Sequence, residues 1–349
     1  MAELFVTNFN RNFTGVSATA ANVLRQQAGR FDLRLVGRPL PGCPDPIPLA
    51  AARRLSASPP PGRPFAIWHV RRNTEMRAAI WARDVLRLPI RIVFTSAAQR
   101  RHSAFPRWLI GRMDAVIATT DTAARFVPHV RAVVPHGVDC DRFTPAPDRA
   151  AAWAALGFGG QMGIATIGRV RPEKGTDLFV EAMLRLLPDL PGAVALVVGR
   201  ASRDHHKFDL ALKDKVQRAG MIDRIRFIGE WPAARLPELM RALSLVMQLP
   251  RYEGYGMVPL EAMAAGVPFV AAEAGYYTAF ADGGRTGQVI PQDRPQAAAE
   301  AARAILTDPA RHAAMAGAAR ELAATRFSAR AEAAGIAAVY DQLWSGAAG

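Results

Sequence analysis

Two clusters in the second half of the chain bring together residue types that suit a charged, hydroxyl-rich ligand. The first is Gly168-Arg169-Val170-Arg171-Pro172-Glu173-Lys174-Gly175, which follows a short apolar run and precedes a helical pattern over Thr176 to Leu187. A strand-to-helix turn at the carboxyl edge of a parallel sheet is where doubly wound folds bind ligands, and glycines there let the backbone approach. Arg169 and Lys174, at the two ends of the turn, suit a doubly charged pyrophosphate. By spacing alone the turn reads equally as a solvated basic loop. Lysine is scarce in this chain, however, and its first occurrence is Lys174.

The second cluster is Glu253-Gly254-Tyr255-Gly256-Met257-Val258-Pro259-Leu260-Glu261. Pro259 suits the first turn of a helix, and Gly254 and Gly256 open the loop before it. Free N–H groups at such a terminus favour an anion, here the phosphates held by Arg169 and Lys174. Glu253 and Glu261 are expected at opposite ends of a bound ligand, where carboxylates grip sugar hydroxyls. Either glutamate alone reads as well as a solvated or dipole-favoured residue; the pair with its glycines does not.

The elements that must position these residues are legible from alternation. Candidate strands are Leu4 to Phe9, Leu33 to Gly37, Phe65 to His69, Ile90 to Phe94, Ala115 to Ala118 and Ala132 to Val134 in the first half. The second half repeats the rhythm with Gly163 to Ile167, Ala193 to Val198, Ile225 to Ile228, Leu245 to Gln248, Pro268 to Ala272 and Gly287 to Ile290. Helical patterns fall between them, among them Asn73 to Leu86 and Phe105 to Arg112, which predicts α/β domains with parallel sheets. The stretch from Gly37 to Pro64 is expected as a long irregular connection. From Pro295 the chain turns Ala-rich and helical. The domain expectation is an N-terminal domain over 1–140, a linker over 141–149, a second domain over 150–327, and a final helix over 328–349 packing back on the first domain.

The 349 residues hold 44 Lys plus Arg against 30 Asp plus Glu, a net charge of +14. Up to residue 150 there are twenty-two arginines and ten acids, so nearly all of the excess lies in the first half. Base-composition bias explains Arg over Lys but not this asymmetry, which points to an anionic partner. Cys43 and Cys140 read as free thiols of a reducing compartment. The opening residues lack a signal peptide's pattern, and the longest charge-free stretch, Ala150 to Gly168, is too broken by glycine to span a bilayer.

The two glutamates with Gly-Tyr-Gly between, the Gly-Arg-x-x-x-x-Lys-Gly turn, Pro135-His136-Gly137-Val138-Asp139 and Ala264-Ala265-Gly266-Val267-Pro268 together resemble the retaining GT-B glycosyltransferases of glycosyltransferase family 4. Trp68-His69-Val70-Arg71-Arg72-Asn73-Thr74-Glu75-Met76 and Phe94-Thr95-Ser96-Ala97-Ala98-Gln99-Arg100-Arg101-His102 look like the lipopolysaccharide core mannosyltransferases of alphaproteobacteria. The resemblance covers nearly the whole chain. It implies two Rossmann-like domains facing across a cleft, and transfer of mannose from GDP-mannose to the inner Kdo of a lipid A precursor.

Residue by residue, the resemblance implies that Arg169 and Lys174 neutralise the donor pyrophosphate and its leaving group. Glu261 takes the ribose hydroxyls, Glu253 the donor sugar, and the amides of Gly256, Met257 and Val258 complete the cradle. Gly15, in Asn12-Phe13-Thr14-Gly15-Val16-Ser17, brings the N-terminal loop to the phosphates. The departing phosphate accepts the incoming hydroxyl's proton on the same face, no metal is expected, and the nucleotide sugar is a substrate, so no cofactor is implied. The anionic glycolipid acceptor and an anionic membrane surface would meet Arg71, Arg72, Arg100, Arg101 and Arg107, each basic residue near such a surface contributing about 1 kcal/mol. That places the protein in the cytoplasm, peripheral at the inner face of the inner membrane.

Two departures stand out. Many members carry a Phe-His-Thr run where this chain has Val93-Phe94-Thr95-Ser96, which leaves His69 and His102 as alternatives for that role. The segment after Gly275 has Ala279 where a glutamate is usual. A UDP-hexose transferase acting on another surface glycan shares the donor motif and remains the alternative function. An epimerase of the same fold fits the signature poorly. A nucleic-acid-binding protein also explains +14, but the chain carries no recognition module and its arginines are not interleaved with surface aromatics, so no nucleic-acid partner is expected.

Overall fold

All twelve apolar runs are strands. In the computed structural model, which describes residues 2–12, 14–98 and 100–346, the chain begins β1 (Leu4–Asn8), α1 (Gly15–Gln27), β2 (Leu33–Gly37), α2 (Leu49–Leu55), β3 (Ala66–Val70) and α3 (Asn73–Ile80). It continues through β4 (Ile90–Ser96), α4 (Ala104–Ile110), β5 (Ala115–Ala118), α5 (Asp121–Ala124) and β6 (Val130–Val133). Phe13 and Gln99, which belong to two of the motifs above, lie outside the described residues, as do the first residue and the last three.

A second series follows: α6 (Arg149–Ala155), β7 (Met162–Ile167), α7 (Thr176–Leu186), β8 (Ala193–Val198), α8 (His206–Arg218), β9 (Ile225–Gly229), α9 (Leu236–Ala242) and β10 (Leu245–Gln248). Then come α10 (Met257–Ala264), β11 (Phe269–Ala272), α11 (Tyr277–Ala281), β12 (Gly287–Ile290), α12 (Pro295–Leu306), α13 (Pro309–Thr325) and α14 (Ala329–Ser345).

The chain divides into two units, residues 1–137 with 327–349, and residues 138–326. Each holds one six-stranded parallel sheet. The first has the order β2-β1-β3-β4-β5-β6, the second β12-β11-β10-β7-β8-β9. Strand order reverses between β1 and β3 in the first and between β7 and β10 in the second. Such switch points leave a crevice at the carboxyl ends of the strands, because the crossovers on either side run in opposite directions.

In the first unit α1 and α14 cover one face of the sheet, with Leu24, Ile336 and Tyr340 in its core, while α2, α3 and α4 cover the other, packing on Phe5, Trp68, Ile92 and Val116. The Gly37–Pro64 stretch is less irregular than its prolines suggest. Ala50, Ala51 and Ala52 favour helix, and Ala52 is fully buried against the sheet. The Trp68 indole N–H donates to Ser56 Oγ at the end of this helix, at 3.0 Å. The single helix expected over Asn73 to Leu86 instead widens into a π turn at Trp81–Val85.

The boundary falls at Gly137 and Val138, and residues 141–149 are not a free linker. Phe143 is buried in the second unit. Arg320 of α13 donates to the carbonyls of Cys140 (3.1 Å), Phe143 (2.9 Å) and Ala264 (2.7 Å), fastening that stretch beside the C-terminal end of α10. There a cation also meets the negative end of the helix.

Candidate functional site

In the second unit, the loops after β7 and β10 meet at the switch point. They carry the two motifs. Arg169 is exposed, with no ion-pair partner among the described residues, at the start of the first loop. Lys174 ends a short 3-10 turn over Pro172–Lys174. Gly175 has φ +66°, and a Cβ there would lie 1.7 Å from the Leu249 carbonyl oxygen, so only glycine lets this turn press onto the end of β10. Arg251 clamps the two loops. Its guanidinium donates to both carboxylate oxygens of Asp177, at 3.0 and 2.8 Å, and to the Pro172 carbonyl at 2.6 Å, and it pairs with Asp293 at 2.8 Å.

Lys174 and Glu253, one from each loop, are direct neighbours. Lys174 Nζ lies 2.7 Å from Glu253 Oε2, bridging the two loops. The Gly254 amide donates to Glu253 Oε1 at 2.9 Å. The Tyr277 hydroxyl of α11 is bonded to the same carboxylate, and burial first, then the Glu253 charge, holds its phenol well above the ordinary range. Tyr277 also sits under the loop. Gly256 has φ +101°, and a Cβ there would fall 2.0 Å from Tyr277 Cε1. Gly256, Met257 and Val258 then open α10, where the first-turn amides have no intrahelical acceptor. Ala279 is half-buried on the same short helix as Tyr277, so α11 reaches this loop through Tyr277.

Glu261 is half-buried by its surface area. Burial pushes its pKa up to about 8, against a smaller opposing effect of the Arg142 charge. The folded value thus exceeds the ordinary one near 4.5. Its contribution to stability is whole below pH 4.5 and is lost as pH rises through the folded value. Glu261→Gln removes this dependence. Its Tm should exceed the wild-type value by about 3–8 °C at pH 8.5 and match it near pH 4.5, as scanning calorimetry of the ligand-free protein will show.

In the first unit, the switch point between β1 and β3 is organised by Glu75. Its fully buried carboxylate accepts from Thr7 Oγ1 (3.0 Å), the Phe9 amide (3.2 Å), the Arg71 amide (2.8 Å) and Arg72 Nη1 (3.0 Å). Arg72 is thereby a strut. It also donates to Asn8 Oδ1 at 3.1 Å, Ser17 Oγ at 2.9 Å and Thr14 Oγ1 at 3.3 Å, so its charge is spent inside the unit and is not free for an acceptor or membrane. Arg71 is buried, and its Nη1 has no hydrogen-bond partner among the described residues. Burial lowers its pKa, against the raising effects of Tyr340, Glu332 and Glu75.

The two histidines left open by the sequence part company. His69 is fully buried; its Nδ1 bonds the Tyr340 hydroxyl and its Nε2 lies 2.7 Å from Thr95 Oγ1. Burial, then the Arg71 charge, holds it well below the usual imidazole range. Both nitrogens are engaged within the core, so as placed it presents nothing to a substrate. His102 follows Arg100 and Arg101, both exposed, on the loop after β4. Its Nε2 is buried without a partner among the described residues, and burial lowers its pKa. His136, at the unit boundary, lies 2.8 Å from Glu332 Oε1 through Nδ1.

Gly15 is the exposed first residue of α1, and a Cβ there would meet nothing within 4 Å. Beside it, a cavity of about 380 Å³ opens on Asn8, Asn10, Arg11, Asn12, Ser17 and Arg38.

Comparison with known proteins places this architecture. The family described as "Glycosyl transferases group 1" matches residues 155–322. Over 98% of this chain and 97% of the relative, the sequence is 42% identical to the lipopolysaccharide core biosynthesis mannosyltransferase LpsB of Rhizobium meliloti (strain 1021). The chain belongs to the group 1 glycosyl transferases. A second relative, the lipopolysaccharide core biosynthesis mannosyltransferase LpcC of Rhizobium leguminosarum bv. viciae, is 39% identical over 98% of this chain and 96% of its own. Among solved structures, Anabaena HepE in complex with UDP superposes with a TM-score of 0.81, covering 97% of this chain and all of that one at 18% identity. This confirms the two-sheet GT-B fold of the glycosyltransferase.

Three residues of this glycosyltransferase that sequence reasoning missed act through others. Glu75 draws the loops after β1 and β3 together, Tyr277 supports Glu253, and Arg251 locks the loops that carry Lys174 and Glu253. Glu75 stands inside a quoted segment, Tyr277 two positions before Ala279 and Arg251 two positions before Glu253. Nothing in their spacing marks them, because their partners are brought near only by sheet order.

Proposed function

We propose that this glycosyltransferase is a retaining mannosyltransferase that passes mannose from GDP-mannose to the inner Kdo of a lipopolysaccharide core or lipid A precursor. The near-full-length likeness to two Rhizobium core mannosyltransferases carries the reading. Arg169 and Lys174 neutralise the diphosphate as the sugar–oxygen bond breaks, which is the electrostatic work a metal does elsewhere. Glu253, released from Lys174 by the incoming phosphate, turns to the sugar hydroxyls. Glu261 holds the ribose, and the amides of Gly256, Met257 and Val258 meet the phosphate and sugar. Gly15, exposed at the start of α1, puts no side chain between its loop and a ligand.

The acceptor's negative charge fits the first unit. Arg11 and Arg38 line a cavity whose volume of about 380 Å³ falls within the range of roughly 300–1,000 Å³ typical of small-molecule sites. Arg100 and Arg101 stand exposed beside His102, whose Nε2 is buried without a partner among the described residues and would serve an acceptor only once this loop opens. Among the described residues no helix is long and apolar enough to cross a membrane, and the excess of arginine supports reversible attachment to an anionic inner leaflet.

A UDP-hexose transferase shares every one of these donor contacts, since pyrophosphate and ribose are common to both nucleotides. The test is a panel of labelled sugar nucleotides offered to the purified protein with Kdo-lipid A. Label is expected in lipid from GDP-mannose. Transfer from a UDP-hexose and none from GDP-mannose selects the second reading.

A further inference from the structure

Apolar side chains left in water on one face of a basic unit need an explanation that charge alone does not supply. Ten large hydrophobic residues are exposed among the described residues, and five of them, Trp81, Val85, Leu86, Phe105 and Trp108, fall within twenty-eight positions. They project from the π turn that ends α3 and from α4, which with α2 cover the same face of the first sheet. The inner sides of these elements bury Met76, Ala79, Ile80, Leu109 and Ile110. Trp108 is 55% exposed and Val85 61%, so the outer sides are bare. Phe105 and Trp108 stack on each other with rings 15° from parallel and centroids 6.3 Å apart.

The setting of these rings is basic. Residues 49–113 hold thirteen arginines against two acids, Glu75 and Asp84. Glu75 is wholly buried, and Asp84 is occupied by Arg83 and Arg112. Contrary to the sequence reading, arginines and surface aromatics do interleave here: Arg53 lies over the Trp81 ring at 4.3 Å and Arg112 over Trp108 at 5.4 Å, so guanidinium groups sit directly on the aromatic platform. Arg54, Arg77, Arg87 and Arg107 are exposed nearby. Aromatic rings flanked by cations match the boundary of a bilayer, where rings sit at headgroup depth and cations meet phosphates.

We propose that the outer surface of α3, its π turn and α4 is a docking face for an anionic lipid bilayer, which Trp81, Phe105 and Trp108 enter while the surrounding arginines meet lipid phosphates. A second copy of the chain fits the face poorly, because it would set arginines against arginines. Attachment therefore has two parts, an electrostatic one that salt screens and an apolar one that it does not. The proposal rests on the reading of a lipid-borne acceptor for its purpose, but the surface itself is measurable without acceptor or donor.

The experiment is sedimentation of the full-length protein with vesicles of phosphatidylcholine, alone or with phosphatidylglycerol, at low and at 0.5 M salt. Wild type is expected to partition onto the anionic vesicles with blue-shifted tryptophan emission, and to keep a measurable bound fraction at high salt. Trp81→Gln/Phe105→Gln/Trp108→Gln should partition at least tenfold more weakly at low salt and lose the salt-resistant fraction. Arg54→Glu/Arg77→Glu/Arg107→Glu should lose the salt-sensitive part of the binding, so that its weaker bound fraction changes little between low and 0.5 M salt. In wild type alone, brominated lipid should quench tryptophan emission, a result that does not depend on any variant folding.

The proposal is overturned if wild type stays in solution, if bromolipid leaves its emission unchanged, or if the aromatic variant binds as wild type does. It is equally overturned if wild type is a dimer that the variant breaks into monomers, or if oligonucleotides bind better than vesicles. The aromatic variant should keep its Tm and its transfer to a deacylated, water-soluble acceptor. Loss of the GDP-mannose assignment would leave vesicle binding standing, and loss of vesicle binding would leave soluble transfer standing.

Discussion

Lys174→Ala is expected to lower kcat about a thousandfold while the protein stays folded. The lysine holds no core together: its ion pair with Glu253 is partly open to solvent, at 25% and 19% side-chain exposure, and pairs of that kind contribute about 1 kcal/mol or less. Its charge matters when the sugar–phosphate bond breaks. Negative charge then builds on the diphosphate, and a preorganised donor aimed at developing charge is worth about 2.7–4 kcal/mol of transition-state stabilisation. Steady-state kinetics with a Tm measurement separates the two effects, and a loss below fivefold would sink the assignment.

The partner variant has an effect of opposite sign on binding. In the ligand-free site Glu253 cancels part of the Lys174 charge, so the phosphate must displace a carboxylate to reach the lysine. Glu253→Gln should bind nucleoside diphosphate several-fold more tightly, by titration calorimetry, while losing transfer through loss of its sugar contact. Weaker nucleotide binding in that variant would mean that the pair acts as a unit.

The second large effect belongs to a residue remote from the donor motifs. Glu75→Ala takes one carboxylate from under four donors, two of them backbone amides, and leaves Arg72 without its only ion-pair partner among the described residues. Removing one member of a buried charged pair costs about 3–5 kcal/mol, because the remaining groups are stranded away from water. For a unit of this size that corresponds to a fall of about 6–20 °C in Tm. Scanning calorimetry should show this loss with nucleotide affinity close to wild type, since the donor motifs lie on the other unit. The isosteric Glu75→Gln should fold better yet bind acceptor poorly, because an amide cannot accept at both former carboxylate oxygens. Wild-type stability in Glu75→Ala would contradict the role given to this carboxylate.

The sequence shows the skeleton well and the wiring badly, for physical reasons. Parallel strands buried on both faces read as continuous apolar runs, so every strand was visible, and both donor motifs sit where strand order reverses. Side-chain pairing across loops is invisible to spacing. Lys174 and Glu253 are seventy-nine positions apart, and only the adjacency of β7 and β10 makes them neighbours. His69 illustrates the opposite error. A histidine at a strand end looks available, but Tyr340, from a helix 271 positions later, closes over it. Arg71 and Arg72 look like a paired cationic patch, yet Arg71 is buried and the Arg72 guanidinium is held by Glu75, Asn8, Ser17 and Thr14. The charge excess is real, and its exposed members include Arg54, Arg77 and Arg107 on α2, α3 and α4, Arg100 and Arg101 in the loop after β4, and Arg11 and Arg38 at the cavity.

Mannosyl transfer with retention is read from the linkage and anomeric configuration of the product, by NMR and mass spectrometry, after incubation of purified protein with GDP-mannose and Kdo-lipid A. One mannose in α configuration on the inner Kdo, formed by wild type and reduced about a thousandfold by Lys174→Ala, is the predicted result. A β-mannoside, a hexose drawn only from a UDP-sugar, or GDP-mannose left untouched would contradict it.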